Sequence, residues 1–170
     1  MFAIPTNAAE MTFAIAANGQ EEVNGAGTPN QGDLDGSATG TLTLNNGTGT
    51  GNTGSAILTL TIANVDLTTL SGHHIHQAPA GSNGNIVVDF GDPDTIRTGS
   101  TLSGTITGLP AATITNIFAN PSGFYYNLHN GAFPSGAVRD QLVPIPEPGS
   151  AFLVALAALC LTSRRSRRRD

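Results

Sequence analysis

The chain has no lysine, no tryptophan and one cysteine, and only 11% of its 170 residues are charged. Each shortage excludes something. The lone Cys160 lies near the C-terminus, so the rest of the chain has no disulfide and no thiol chemistry. Five of the seven basic residues fall within residues 164–169. Residues 1–143 are left with two cations, Arg97 and Arg139, against ten Asp and Glu, a net charge of about −8. A field of that sign repels nucleic acid and anionic membrane surfaces, so a nucleic-acid partner is excluded. No Gly-x-Ser-x-Gly elbow occurs, and no aromatic sugar platform flanks the paired carboxylates. No catalytic constellation is present in the sequence, and the chain is not expected to be an enzyme.

What the chain does contain is Gly, Thr, Ser and Asn punctuating short segments in which apolar and polar residues alternate. Alternation with period two marks half-buried strands. Eight such segments are expected as strands, at 12–16, 38–44, 57–65, 73–77, 85–90, 101–107, 124–129 and 137–143. Only residues 111–119, after Leu109-Pro110, read as a helix. The expected fold is all-β, a Greek-key sandwich or barrel of about eight strands, with a short hydrophobic helix at the C-terminus. Three regions follow: an N-terminal segment over 1–11, one domain over 12–143 and a tail over 144–170.

The tail reads as an address. An apolar run over 149–161 is followed by the arginine cluster. As a helix the run is about 20 Å long, against a hydrocarbon core of about 30 Å. It becomes a marginal span if the arginines reach the headgroups. The arginines should stay cytoplasmic, placing the domain outside the cell membrane. Pro146-Glu147-Pro148, a short hydrophobic helix and an Arg-rich end resemble the PEP-CTERM sorting signal of exported bacterial proteins. That resemblance implies an exosortase-type transpeptidase as a partner, acting beside the motif, and at least transient membrane contact through the tail. The stretch 1–17 is a poor export signal. It has no basic start, Pro5 and Asn7 interrupt it, and Glu10 falls in the apolar part. The export signal is expected upstream of Met1.

Three further segments belong together: Glu22-Val23; His74-Ile75-His76 with a Gly-rich turn after it; and Asn127-Leu128-His129, followed by Gly136, Arg139, Gln141 and Leu142. Their order and spacing resemble the CHRD domain, named from chordin, over roughly residues 12–143. Asn130 and Asp140 depart from the family pattern, which has Thr and Gly there. The resemblance implies an exported envelope or matrix protein that binds extracellular protein or polysaccharide without catalysis.

The histidines support a second reading. In a strand His74 and His76 share one face and Ile75 takes the other. In the later strand Phe124, Tyr126 and Leu128 share a face, leaving Tyr125, Asn127 and His129 opposite. With the apolar sets turned to the core, all three histidines are expected on the non-core side, where polar groups stay hydrated. His-x-His plus a third histidine is a sufficient donor set for Cu²⁺ or Zn²⁺. The His-Ile-His strand is also similar to the copper-binding strand of copper–zinc superoxide dismutases. Their remaining ligands and disulfide have no counterpart here, so dismutation is not expected. The alternative role for these histidines is hydrogen bonding that ties loops to strands, and His73, of opposite parity, is expected to be structural. Arg139 is expected to pair with Glu22 or to clamp a loop carbonyl, with anion binding as the alternative. Asp33 with Asp35, and Asp92 with Asp94, place carboxylates close together but lack the later ligands of a calcium loop.

Overall fold

A computed structural model of the chain describes residues 8–47 and 53–146. The apolar run, the arginine cluster, Glu147 and Pro148 lie outside the described residues. Among the described residues no helix is long and apolar enough to cross a membrane.

The fold is all-β. Its strands are β1 (Glu10–Asn18), β2 (Ser37–Asn45), β3 (Thr53–Ala63), β4 (Leu70–Gln77), β5 (Asn85–Asp89), β6 (Arg97–Thr98), β7 (Thr101–Pro110), β8 (Phe124–Asn130), β9 (Val138–Gln141) and β10 (Val143–Pro144). All pair antiparallel in one curled sheet, in the order β5-β4-β8-β9-β1-β2-β3-β7-β6, with β10 also on β1. Each of the eight expected segments contributes a strand. The sheet adds the two-residue β6 and β10, and β9 ends before β10 begins.

Alternation places the core. In β3, Ala56, Leu58, Leu60 and Ile62 are buried while Thr59 and Thr61 face out. Each fully buried leucine contributes about 2 kcal/mol over leaving it exposed. Phe13, Leu42, Leu58 and Leu102 from one half of the sheet join Ile75, Val88, Tyr126 and Leu128 from the other in a single cluster. The one α-helix, α1 (Ala111–Ala119), starts after Pro110 and buries Ile114 and Ile117, one turn apart. Asn120 leaves the helical conformation (φ −150°, ψ 68°) and ends it.

The two halves meet where β9 joins β1, with Asn18 opposite Arg139. One row of Cα partners crosses this half of the sheet through Asp89, His74, Asn127, Arg139 and Asn18. On the same face the next row holds His76, Tyr125 and Gln141, and on the other side Gly72 lies opposite His129. These rows carry the functional side chains.

The expected hydrated face is corrected by the structure. All seven residues of β8 are buried, so both of its faces are covered. Phe124, Tyr126 and Leu128 enter the core as expected, while Tyr125, Asn127 and His129 lie beneath loops. Those loops are tied together by hydrogen bonds from Asn83 Nδ2 to the Val23 carbonyl at 2.8 Å and from Asp33 N to the Ala137 carbonyl at 2.8 Å.

Candidate metal centre

His74 and His76 come from β4 and His129 from the neighbouring β8. One ring nitrogen from each lies within 4.8 Å of the others. A tetrahedral ion with bonds of about 2.0–2.1 Å holds its ligands about 3.4 Å apart, so modest ring rotations would bring the three onto one ion. The rings gather closely, with centroids 4.9 Å apart for His74 and His129 and 5.7 Å for the other two pairs.

The hydrogen bonds decide which nitrogens are free. His76 Nδ1 lies 3.0 Å from the Gly84 carbonyl and His129 Nδ1 lies 3.1 Å from the Pro134 carbonyl. A carbonyl only accepts, so each Nδ1 carries the proton and each Nε2 presents a lone pair. Both Nε2 atoms are buried and without a partner. His74 is turned the other way. Its Nε2 lies 3.5 Å from Asp89 Oδ1, and its buried Nδ1 is the unpartnered atom. His76 and His129 thus commit one nitrogen to a carbonyl and leave the other free, the arrangement that orients metal-ligating imidazoles, while His74 has Asp89 beside one nitrogen and leaves the other free. Burial also lowers the pKa of all three, that of His129 to about 4, so all are neutral near pH 7, as ligation requires.

The surrounding side chains hold this arrangement in place. The His76 ring stacks on Tyr125, 4.9 Å away and tilted by only 12°. The Arg139 guanidinium lies over the Tyr125 ring, 3.4 Å from its centre. Arg139 also donates to Asn83 Oδ1 and to the Pro79 and Ser82 carbonyls. It therefore clamps the 78–84 loop, the loop that supplies the Gly84 carbonyl to His76. Of the two roles expected for Arg139, the structure forms the carbonyl clamp and no direct ion pair with Glu22. Glu22 is buried, and desolvation raises its pKa to about 7, against the lowering effects of Arg139 and Asn127.

His73 projects into the core, fully buried between Phe90 and Tyr126, with burial lowering its pKa to about 4. The Asp92–Asp94 pair behaves as local structure. Asp92 Oδ1 accepts from Asp94 N, and Asp94 pairs with Arg97. Among the described residues, the three histidines are the one group of His, Cys, Asp or Glu side chains arranged to hold an ion. Pro146, the described residue of the Pro146-Glu147-Pro148 segment, lies just beyond β10. A surface cavity of about 530 Å³ opens beside the clamp, lined among others by Gln20, Glu21, Arg139, Asp140 and Gln141.

Sequence reasoning did not find Asp89 or Gly72. Asp89 reaches His74 only through the β4–β5 register, which shifts at a bulge between Ile75 and His76. Its place at the end of an apolar strand beside a histidine strand was the only available signal.

The model of the CHRD domain family matches residues 13–142, and the chain belongs to that family. No curated protein and no solved structure matches it.

Proposed function

We propose that this chain is an exported protein of the bacterial cell envelope whose CHRD domain binds a divalent transition-metal ion, Cu²⁺ or Zn²⁺, through His74, His76 and His129. Two observations carry the reading: a ring nitrogen of each histidine lies within 4.8 Å of the other two, and each ring has one buried nitrogen without a partner. Histidines serving only to tie loops to strands would gain nothing from leaving a buried ring nitrogen unpaired, since each orphaned acceptor costs about 1–3 kcal/mol. When bound, the ion supplies a Lewis-acid or one-electron centre. The chain supplies orientation through Gly84, Pro134 and Asp89, and it shields the ion under the loops. Elemental analysis of the purified protein beside its His74→Ala/His76→Ala variant tests the reading. About one equivalent of copper or zinc, lost in the variant, is expected; no metal after incubation and dialysis of folded protein sinks it.

The address rests on the resemblance of the tail to a PEP-CTERM signal. An exosortase-type enzyme would act near Pro146-Glu147-Pro148, with the arginine cluster on the cytoplasmic side. Mass spectrometry of the exported protein distinguishes sorting, which removes the residues after the motif, from anchoring, which retains them. The cavity beside Arg139 favours a second role, capture of extracellular polysaccharide or protein. Its mixed polar and apolar lining suits hydroxyl-rich ligands. Chemical-shift changes at Gln20 and Gln141 on titration with envelope polysaccharide are the expected sign, and their absence across glycan and protein panels would refute that role.

A further inference from the structure

We propose that Asn127 is the fourth ligand of this centre, donating its side-chain carbonyl oxygen Oδ1 to the ion held by His74, His76 and His129; the inference rests on the metal-binding reading. Three neutral imidazoles leave a tetrahedral ion one donor short. The strand register sets Asn127 among the three histidines. It is the direct Cα partner of His74, and on its own strand it shares a face with Tyr125 on one side and His129 on the other. His76 lies opposite Tyr125, and Gly72 opposite His129, so the three histidines surround Asn127 in the sheet.

The state of the Asn127 amide is the second observation. The residue is 1% exposed and its Oδ1 has no hydrogen-bond partner. Its Nδ2 is directed elsewhere. A Cβ added at Gly136 would lie 2.7 Å from Asn127 Nδ2 and would overlap Glu22 Oε1, so both groups converge over Gly136. Nδ2 thus lies on the Glu22 side, which leaves Oδ1 as the free end. Leaving an amide oxygen buried and unpaired is costly, and an ion removes that cost. The resulting three-nitrogen, one-oxygen set suits Zn²⁺ or Cu²⁺ and not calcium or magnesium, which take oxygen donors.

The experiment uses the full chain, with Co²⁺ as a visible probe of coordination and Zn²⁺ affinity measured by chelator competition. The variants are Asn127→Ala and Asn127→Asp. Asn127→Ala is expected to weaken Zn²⁺ binding at least tenfold and to change the Co²⁺ ligand-field bands. Asn127→Asp keeps an oxygen donor and adds charge, so it should bind Zn²⁺ at least as tightly as the parent. Unchanged affinity and unchanged Co²⁺ bands in folded Asn127→Ala overturn the inference and leave the three-histidine site standing. If Asn127→Ala does not fold, Asn127→Asp decides, and weaker binding than the parent overturns the inference. A parent protein that binds neither ion overturns both this inference and the metal reading.

Discussion

The His74 ring lies against the backbone of Gly72, so close that a Cβ at position 72 would come 2.8 Å from Cε1 and 2.9 Å from Nε2 of the imidazole. Gly72 also lies opposite His129. A missing side chain on one strand therefore gives His74 the room to reach a histidine on the next. Gly72→Ala is expected to displace the ring and weaken zinc or copper binding by about tenfold or more, the scale of losses on disturbing the groups that orient a metal ligand. Chelator competition on folded protein checks this, and affinity equal to the parent would show that the contact does not position His74.

Arg139 stacks on Tyr125 and reaches three acceptors in the 78–84 loop, a geometry that a lysine ammonium cannot reproduce. Arg139→Lys is expected to cost about 2–3 kcal/mol of unfolding free energy, the scale of hydrogen bonds to a charged group. Denaturant unfolding of the metal-free protein measures it. A change below about 0.5 kcal/mol would mean that the loop holds without its clamp.

His73 places two unpartnered ring nitrogens in an apolar core, 5.2 Å from the Phe90 ring. His73→Leu removes both at similar volume and is expected to stabilise the metal-free protein by about 1 kcal/mol at pH 7. A loss of stability would reveal that the imidazole is satisfied by a buried water.

Asp140 is partly buried and its Oδ2 accepts from Ala16 N at 2.6 Å. Desolvation, the larger effect, raises its pKa above the ordinary 3.8. A raised folded pKa means that the native state holds the proton more tightly than the unfolded chain. The stability from this group is then present in full below pH 3.8 and is lost as pH rises through the folded value. The unfolding free energy of the parent minus that of Asp140→Asn should fall over that window and then level off. A difference that rises with pH instead would show that the Ala16 hydrogen bond outweighs burial.

The fold was largely legible because its strands alternate cleanly. Threonine between Ile and Leu along β3 needs no tertiary information to read, and Leu109-Pro110 announced the helix at Ala111–Ala119. Parity also brought His74, His76 and His129 to one face. It failed on their surroundings, since period two says which residues share a face and nothing about what covers that face. Parity alone leaves the second face of β8 open to water, yet the loops over 19–36 and 78–84, held down by Asn83 and Arg139, bury the face that the core does not. The roles of Gly72 and Asp89 depend on register between strands, which a sequence without cross-strand information does not record.

The domain has no cysteine, and among the described residues its two outer strands leave the sheet open at both edges. His76 and His129 stand on adjacent strands that are far apart in the chain, with β5, β6, β7 and α1 between them. A bound ion would therefore act as a reversible cross-link closing a loop of roughly 50 residues, a constraint worth about 4 kcal/mol if it behaved as a disulfide does. Metal supply would then set how long this domain survives proteolysis, whatever else the ion does.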